Sequence, residues 1–457
     1  FSGLLGSAQL DQNSIASSRE LLNRFVSFYS NASYTYDDKY VLSGSIRWDR
    51  SNLWGTNSKY QNKPLWSVGG SWNIYKEKFF QADFVDMLKL RASYGIGGNI
   101  GRNTAPYLIA SYYDSSLVDG MAGSVNTPPN KDIRWEKTTT VNVGVDFALF
   151  RHRLSGTIEY YNKYSVDLLA AINGSPTQGF GYTTLMTNNG KMVNRGVEIT
   201  LSGEIIRQKD FSWNASLLYA SNRNKVKHIS VQPSLWDSRI SMPTSYPMVG
   251  KPLYGIYAYK WAGLNENGDP QVYDAENNVT SGPARDYHAL VYCGTTVPIH
   301  NASLTNVLRY KGFEFSAMLI LDAGHKLRSS NIPSINMSNG RITSTAKGIV
   351  DRWTQPGDVT DVPRLLFSND TENFNTHRTE LYRYSDLFVY DASNIRLSNI
   401  SLAYRVPAHW CKKISLSGAR LQFNVENVAT FAFDSKANYD LGGKVKPNYV
   451  WGLYLNF

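Results

Sequence analysis

The stretch TTVNVGVDFAL, residues 139–149, alternates between apolar and polar side chains. Its three valines fall on one side of the alternation, and Asn142 and Asp146 fall on the other. Successive side chains of a β-strand point to opposite faces, so this period of two predicts a strand with one apolar face and one polar face. A second alternating stretch starts at Leu154, which predicts a neighbouring strand joined by a short connection.

Period-two alternation recurs along the whole chain, and counting such segments predicts about 13 strands of ten or more residues. Strands of this length are long for a soluble sandwich, whose strands average five or six residues. Near Ser398 and Asn399 the apolar phase shifts by one residue, which predicts a β-bulge. The other clear segments are residues 40–49, 88–94, 154–161, 197–202, 213–219, 313–322, 421–426 and 449–457.

The connections between these segments alternate between short and long. Short joints occur at residues 36–39, 150–153, 207–210 and 310–312. Long excursions occur at residues 98–135, 165–194, 224–300 and 324–392. One end of the sheet therefore carries every long loop, which is typical of outer-membrane barrels with short periplasmic turns and long extracellular loops. Compact soluble domains rarely contain structureless loops of this size.

The polarity of the two faces distinguishes a membrane barrel from a soluble fold. The polar face is too charged to lie against lipid, so we expect it to line an aqueous lumen. We expect Val143, Val145 and Leu421, on the apolar face, to point toward lipid. The alternative is a soluble sandwich or solenoid, in which these three residues are shielded inside a water-soluble monomer. The predicted lumen-facing residues are Asn142, Asp146, Glu159, Glu198, Arg396, Gln422, Asn424 and Glu426.

The last predicted strand, YVWGLYLNF at residues 449–457, has large apolar or aromatic side chains at alternate positions. These positions are Tyr449, Trp451, Leu453, Leu455 and Phe457. Backbone polar groups in lipid must all be paired, so we expect this strand to close the barrel against a first strand. A count of about 13 is odd, whereas single-chain bacterial barrels have even numbers of strands. We therefore interpret residues 1–457 as the C-terminal portion of a larger antiparallel barrel, with its N-terminal strands outside this chain.

Composition excludes several other classes of protein. The 457 residues include 13% aromatic and only 18% charged residues, which is incompatible with intrinsic disorder. No apolar run approaches the ~18 residues of a membrane-spanning helix. The net charge of +10 is scattered along the chain, so we expect no nucleic-acid partner. Cys293 and Cys411 lie far apart and form neither a disulfide framework nor a zinc motif.

Six groups of motifs follow one another along the chain. They are YDDKYVL with IRWD (36–42, 46–49), LKLRASYG (88–95), GKPLYG with KWAGL and GDP (250–255, 260–264, 268–270), RWTQPGD with DVPR (352–358, 361–364), SDLFVYDAS (385–393) and IRLSNISL (395–402). In this order they resemble the motifs of the SusC/RagA-type TonB-dependent transporters of the Gram-negative outer membrane. The resemblance extends over nearly the whole chain.

This resemblance implies a barrel of about 22 strands, of which this chain supplies about 13, with an N-terminal plug that blocks the lumen. It also implies import of a bulky oligosaccharide or oligopeptide, with TonB delivering energy through the N-terminal part that this chain lacks. A SusD-like surface lipoprotein is the implied lid on the outer side. A passive porin or structural barrel and an outer-membrane barrel enzyme are the alternatives. The sequence leaves the choice between a glycan and a peptide open.

Aromatic side chains beside polar ones mark the long excursions. Such rings can stack on sugar rings or peptide side chains, contact a lid protein, or pack within the loops themselves. We predict substrate-binding or partner-contact roles for them on this basis. The residues are Tyr112, Tyr113, Phe180, Tyr182, Trp236, Tyr246 and Tyr287.

Catalytic and metal-binding motifs are absent from the sequence. Its seven histidines form no HExxH motif and there is no GxSxG, so we expect no enzyme and no cofactor. The segment NENGD, residues 265–269, offers oxygen ligands around a glycine and is a candidate calcium loop. It lacks the bidentate Glu at position 12 of an EF-hand, and a solvated turn is the alternative.

Overall fold

The computed structural model of the chain describes residues 24–53, 57, 64–99, 101, 106–115, 120–175, 177, 184–233, 235–282, 286–333, 335–338, 341–365, 376–441 and 446–457. Within these residues the dominant element is one sheet of 13 strands. Every neighbouring pair in the sheet is antiparallel, and the strands follow one another in chain order. The predicted number and arrangement of strands are therefore confirmed.

The thirteen strands of this sheet are numbered here in chain order. They are β1 (Phe25–Tyr36), β2 (Tyr40–Ser51), β3 (Leu65–Asn73), β4 (Val85–Asn99), β5 (Glu136–Leu149), β6 (Leu154–Asn173), β7 (Thr184–Arg207), β8 (Phe211–His228), β9 (His300–Tyr310), β10 (Phe313–Ala323), β11 (Asn394–Arg405), β12 (Gly418–Ala432) and β13 (Asn448–Asn456).

The two ends of the sheet differ in the length of their connections. At one end, here called the turn end, β1 and β2, β5 and β6, β7 and β8, and β9 and β10 are joined by two to four residues. The turn between β1 and β2 places Asp37 and Asp38 in the left-handed region, with φ of 50° and 53°, which Asp tolerates better than most residues. The opposite end, here called the loop end, carries the long excursions.

One predicted loop is largely strand. Residues 165–194 were expected to form a long excursion, but β6 continues to Asn173 and β7 begins at Thr184. The two strands stay paired beyond an irregularity near Leu168, and Asn173 pairs with Thr184. Asn188 stabilises the irregular region, because its side chain donates to the carbonyl oxygens of Arg134 and Asp167. The sequence pattern failed here because the bulge breaks the period-two alternation.

The register between the strands places the predicted lumen-facing residues and the predicted lipid-facing residues on opposite faces of the sheet. Directly paired residues of antiparallel strands share a face. Glu159 pairs with Glu198, and Arg396 pairs with Ile320, two positions from Asp322. Following the register from strand to strand puts all eight predicted lumen residues on one face, here called the polar face.

The opposite face, here called the apolar face, carries Val143, Val145 and Leu421. Val143 pairs with Tyr160, and Leu421 pairs with Leu453. The predicted bulge is confirmed, because the register shifts between Leu397 and Asn399 while the apolar side chains before and after it stay on the same face.

Within the described residues, no protein element covers much of the apolar face. Val143 is 47% exposed, Leu421 is 50% exposed and Trp451 is 78% exposed, while Val145 is half-buried. Leaving such side chains in water costs about 25 cal/mol for each Å² of apolar surface. A continuous exposed face of this size therefore requires an apolar medium around it.

The outermost strands each have one partner in the part of the chain that the structure describes. β1 pairs with β2, and β13 pairs with β12. On β13, Tyr449, Trp451, Leu453 and Leu455 point to the apolar face, and Phe457 follows the strand's end. Closure of β13 against a first strand stays a prediction.

Shorter strands and helices occur in the loop-end excursions and in the connections between β3 and β4 and between β11 and β12. The additional strands are Ile109–Ser115 with Gly120–Thr127, Gly255–Tyr259 with Leu290–Thr295, Trp261–Leu264 with Pro270–Tyr273 and Val279–Thr280, Lys326–Arg328 with Val389–Asp391, and Ile335–Ser338 with Arg341–Thr345. The helices are α1 (Ser238–Ser241), α2 (Thr376–Arg383), α3 (Ala408–Lys412) and α4 (Asn438–Leu441). Short 3₁₀ turns occur at Ile74–Lys76, Tyr287–Ala289, Lys347–Asp351, Asp386–Phe388 and Ser435–Ala437. None of the helices in the described ranges is both long and apolar enough to span a membrane.

The two-faced sheet makes a direct prediction about stability in a bilayer. Replacing Val143, midway along β5, with Arg should destabilise the full-length barrel by about 2–4 kcal/mol, because a charge on the lipid-facing side of a barrel is costly near the midplane. The matched variant Asn142→Arg, one residue away on the polar face, should cost less than about 1 kcal/mol. Urea titration in lipid vesicles measures both free energies of unfolding. Equal losses for the two variants would contradict the assignment of the faces.

Candidate functional site

An ion-pair network lies on the polar face where β4, β5 and β6 meet. Arg91 donates from Nε and Nη2 to both carboxylate oxygens of Asp146, at 2.8 and 2.9 Å. The same guanidinium contacts the Glu159 carboxylate. Thr157 donates to Asp146 at 3.0 Å, and Asn142 donates to Glu159 at 3.5 Å. One guanidinium thus holds together two carboxylates that would otherwise repel each other.

Arg91 is the centre of this network, and the sequence analysis did not single it out. A signal for it exists, because Lys89 and Arg91 occupy the polar positions of the alternating stretch 88–94. Its partner Asp146 is 55 positions away in the chain and lies on the neighbouring strand. The ion pair depends on strand register, which a single sequence does not reveal.

A second cluster lies on the polar face of β9, β10 and β11. Asp322 accepts from Asn301 at 2.7 Å and from Arg396 at 2.9 Å. Glu198 lies between the two clusters, paired in register with Glu159 on one side and Ala220 on the other. A shallow groove of about 320 Å³ runs from Glu198 to Asp322. The carboxylates of Glu198 and Asp322 lie at its two ends, and apolar side chains such as Leu218 and Ile320 form part of its lining.

The polar face continues across β12. Gln422 donates to Ser401 at 3.3 Å and to Asn424 at 3.0 Å. Glu426 pairs in register with Asn399. The predicted lumen residues therefore form a belt of hydrogen-bonded polar groups rather than one convergent pocket. Such a belt suits a hydrated surface, because Asp146, Glu159 and Gln422 keep polar partners while Glu198 and Glu426 are exposed.

The excursions at residues 229–299 and 324–393 pack against each other at the loop end, and their described residues are here called the loop-end unit. Its buried core contains Tyr257, Tyr259, Val272, Ala289, Leu290 and Leu381. The backbone N–H of Tyr259 donates to the Tyr384 carbonyl at 2.9 Å, so a residue of one excursion binds a residue of the other. Arg328 strengthens this junction, since its Nη2 donates to the Tyr257 carbonyl at 2.6 Å. Burial lowers the pKa of the Arg328 guanidinium.

The GDP motif at residues 268–270 connects the same two excursions. The Asp269 carboxylate accepts from Arg364 at 3.2 Å and from Arg378 at 2.6 Å. Gly268 has φ of 73°, and a Cβ at this position would lie 2.4 Å from the Trp353 ring. Glycine is therefore required both for the backbone conformation and for the close approach of the tryptophan.

The candidate calcium loop has another role in the structure. The Asn265 side chain accepts from the backbone N–H of Asn267 and of Asp269, at 3.0 and 2.9 Å, which is an Asx-type turn. The carboxylate of Asp269 is taken up by the two arginines. No group of three or more His, Cys, Asp or Glu side chains suited to a metal ion occurs in the residues that the structure describes. These contacts favour the turn over the calcium loop.

Three of the predicted contact aromatics lie within or against the loop-end unit. Trp236 stacks on Tyr259 with ring centroids 6.1 Å apart, and Tyr287 packs against the core beneath the Arg239 guanidinium. Tyr246 is only 8% exposed. Their burial favours packing within the loops over contact with a ligand. Burial of this kind arises from contacts distant in sequence, so composition alone could not separate the two roles.

The other predicted aromatics differ in their placement. Tyr112 and Tyr113 lie on the hairpin Ile109–Ser115 and Gly120–Thr127, and are 72% and 53% exposed. Met121 of the same hairpin is also exposed. Phe180 and Tyr182 lie outside the described residues. An exposed aromatic hairpin is thus the clearest candidate contact surface at the loop end.

Both thiols are free, and neither is arranged for catalysis. Cys411 is fully buried within α3. Burial raises the pKa of the Cys293 thiol to about 11, with the Asp386 carboxylate contributing. A thiol with so high a pKa stays protonated at neutral pH and is a poor nucleophile.

The comparisons with known proteins agree with this architecture. Residues 5–428 match the model of a family described as "TonB dependent receptor-like, beta-barrel". TonB-dependent receptor P3 of Formosa agariphila is 27% identical over 456 residues, covering 94% of this chain and 43% of that protein. TonB-dependent receptor SusC of Bacteroides thetaiotaomicron is 25% identical over 427 residues, covering 89% of this chain and 40% of that protein. The chain thus spans about two fifths of the length of these relatives.

Solved structures show a similar fold. The RagAB peptide transporter superimposes with a TM-score of 0.77 at 23% identity, covering 95% of this chain and 48% of that chain. The RagAB peptide importer in the "open-open" state gives a TM-score of 0.76, also at 23% identity, and covers 95% of this chain and 47% of that chain. At this level of identity the likeness concerns the fold alone.

The network around Arg91 predicts an asymmetric response to substitution. Arg91→Met should destabilise the full-length protein by about 2 kcal/mol, because it leaves Asp146 and Glu159 close together without their shared cation. Adding Asp146→Asn and Glu159→Gln to this variant should recover most of the loss. Arg309→Met is the matched control, because its ion pair with Glu314 leaves the two side chains 53% and 34% exposed and should contribute less than about 1 kcal/mol. Chemical denaturation in detergent measures all three, and a triple variant no more stable than Arg91→Met would contradict the ion-pair account.

The Cys293 environment predicts slow alkylation. In a Cys411→Ser background, iodoacetamide at pH 8 should modify Cys293 roughly a hundredfold more slowly than an ordinary exposed thiol, because a raised pKa leaves little thiolate. The rate should rise with pH until about pH 11. Mass spectrometry follows the reaction, with Glu266→Cys in a chain lacking both native cysteines as the exposed reference. A plateau near pH 9 would show that the thiol is not buried as described.

Proposed function

The chain belongs to the TonB-dependent receptor-like β-barrel family, and we propose that the protein whose barrel wall it forms actively imports a bulky nutrient. Membership of this family confirms the motif resemblance, the predicted all-β barrel fold and the location in the outer membrane. The family comprises transporters and receptors, and we assign no catalytic role to the chain.

The two-faced sheet is the observation that carries this proposal. Its apolar face requires lipid, so the polar face becomes the wall of an enclosed lumen. Several charges on that wall are paired, as in Arg91 with Asp146 and Arg396 with Asp322, while Glu198 and Glu426 are exposed. Such a wall can be wetted by water and offers hydrogen bonds to a polar cargo without a single tight site that would retain it.

TonB and a plug complete the proposed machine. The relatives are more than twice as long as the part that this chain matches. We assign the plug and the TonB-contacting segment to the remaining part of the protein. The belt of polar groups between Glu198 and Asp322 would then face the plug, which must move for the cargo to pass. TonB would supply the work for that movement.

The loop-end unit and the exposed hairpin form the proposed docking surface for a SusD-like lipoprotein lid. A buried core and the Asp269–Arg364–Arg378 cluster hold the unit together, so it offers a partner an ordered surface. Tyr112 and Tyr113 project from the hairpin as exposed aromatic side chains, the type that commonly anchors protein interfaces. Cargo would be enclosed between the lid and the barrel.

The cargo is assigned to bulky polar oligomers, either oligosaccharides or oligopeptides. The paired charges and amides of the polar face suit both, because both present many hydrogen-bonding groups. One relative is named SusC and one structural neighbour a peptide transporter, and neither name specifies the cargo of this chain. Ligand density or a co-purified ligand at the outer face of the full complex would decide between the two classes.

Energy dependence tests the proposed function. Cells with the full-length protein should take up fluorescent oligosaccharides or oligopeptides larger than porins admit, and uptake should cease when a protonophore collapses the proton gradient that drives TonB. Deletion of the gene provides the baseline. Uptake that continues after collapse of the gradient would favour a passive porin. Recovery of chemically altered ligand outside the cell, lost on replacing a loop Ser or His, would favour a barrel enzyme.

The hairpin provides a specific prediction about the lid. Tyr112→Ser with Tyr113→Ser should weaken association with the surface lipoprotein at least about tenfold, because buried interface tyrosines each contribute more than about 1 kcal/mol. Co-purification of the lipoprotein with tagged full-length protein, quantified by mass spectrometry, measures the effect. Tyr454→Ser is the matched control, since Tyr454 is 55% exposed but lies on the polar face at the turn end. Undiminished co-purification from the double variant would remove the hairpin from the interface.

A further inference from the structure

Two arginines lie opposite each other on the apolar face. Arg195 of β7 pairs in register with Arg223 of β8, and with Asn162 of β6 on its other side. The Nε of Arg195 donates to the Asn162 side-chain oxygen at 3.0 Å. Both arginines are exposed, and Lys225 follows Arg223 two positions later on the same face. Three cations therefore cluster on the side of the sheet that faces lipid.

Carboxylates are distributed very differently from these cations. At the register-paired positions of the sheet, every carboxylate outside the bulges lies on the polar face: Asp49, Glu136, Asp146, Glu159, Glu198, Glu204, Glu314, Asp322 and Glu426. In the described part of the chain no ion pair involves Arg195 or Arg223. The two arginines thus have no anionic protein partner on their own face.

The height of the arginines on the barrel places them at a membrane surface. A tilted strand crosses the hydrocarbon layer in about 9–11 residues. Trp213, at the turn end of β8, has the position of an interfacial aromatic, and Arg223 comes ten positions later on the same face. Register puts Arg195 at the same level. Both guanidinium groups therefore lie at the headgroup level of the loop-end leaflet.

The arrangement is unfavourable unless an anion is present. Like charges directly opposite each other on adjacent strands destabilise a sheet. A phosphate between two guanidinium groups replaces their mutual repulsion with attraction to a shared anion. Guanidinium geometry also favours bidentate contact with phosphate oxygens. Asn162 holds one of the guanidinium groups in position by its hydrogen bond.

We propose that Arg195 and Arg223, assisted by Lys225, bind the phosphate of a lipid headgroup in the outer leaflet. The occupant is a phosphorylated lipid of the membrane surrounding the barrel, because the site opens toward lipid and not toward the lumen. The proposal depends on the outer-membrane location and on the loop end facing outward. It does not depend on what the protein imports, so its failure would leave the proposed transport function intact.

Lipid A with and without its phosphates is the probe. Full-length protein, purified without its lid and reconstituted in nanodiscs of zwitterionic lipid, is titrated with each form, and bound lipid is counted by native mass spectrometry. The test variant is Arg195→Gln with Arg223→Gln. The control is Lys209→Gln with Lys412→Gln, which removes the same charge from exposed sites at the turn end.

Phosphorylated lipid A should bind the unaltered protein and the control variant equally, and the test variant roughly thirtyfold more weakly, since each basic residue near an anionic membrane surface contributes about a factor of five. Dephosphorylated lipid A should bind all three weakly. Equal binding by test and control variants, or equal binding of the two lipid forms, would overturn the proposal. The proposal would also be overturned if the two arginines bound an acidic lid protein through their charge and the protein showed no preference for phosphorylated over dephosphorylated lipid A.

The unfolding temperature provides a second readout, which distinguishes lipid binding by the two arginines from a merely structural role. Without phosphorylated lipid, the test variant should unfold at the same temperature as the unaltered protein or higher, because the arginine repulsion is gone. Phosphorylated lipid A should raise the unfolding temperature of the unaltered protein only. A test variant that is less stable regardless of lipid would assign the arginines a structural role and overturn the proposal.

Discussion

The constraint on which the rest of the structure depends is that one face of a 13-stranded sheet is apolar and largely uncovered by protein. The antiparallel ladder pairs the backbone groups inside the sheet, so the strands can enter hydrocarbon without unsatisfied donors. The side chains then need an apolar medium on one side only. An outer membrane supplies that medium, and the opposite, charged face consequently encloses water. The position of the sheet in the membrane and the enclosed lumen both follow from this single asymmetry.

The polar groups are organised according to the same asymmetry. On the polar face, Arg91 holds Asp146 and Glu159 together and Arg396 pairs with Asp322, which lowers the electrostatic cost of a charged wall. At the loop end, two excursions condense around buried tyrosines into a unit that can support a partner protein. On the apolar face, Arg195 and Arg223 have no ion pair among the described residues, and the phosphate of a surrounding lipid is their proposed counter-ion.

Local periodicity was sufficient to predict the fold from the sequence, whereas contacts between residues distant in the chain could not be predicted from it. Alternation of residues 139–149 predicted both the strand and its two faces, and the phase shift near Asn399 predicted the bulge. The ion pair of Arg91 was missed because it depends on register between distant strands. The extension of β6 to Asn173 and the early start of β7 at Thr184 were missed because a bulge disrupts the alternation. Tyr246 was assigned to a contact surface because composition does not encode burial, and the structure leaves this side chain only 8% exposed.

The most direct test of the central claim is a spin-label scan along residues 139–149 of the full-length protein in a bilayer. Collision rates with oxygen, which concentrates in lipid, and with a water-soluble nickel complex report the surroundings of each label. We expect the collision rates to alternate with a period of two, with labels at positions 141, 143 and 145 more accessible to oxygen and shielded from nickel. Labels at 140, 142 and 144 should show the reverse or be shielded from both. Labels at 141, 143 and 145 that are shielded from oxygen, in a protein that stays monomeric in plain buffer, would contradict this expectation.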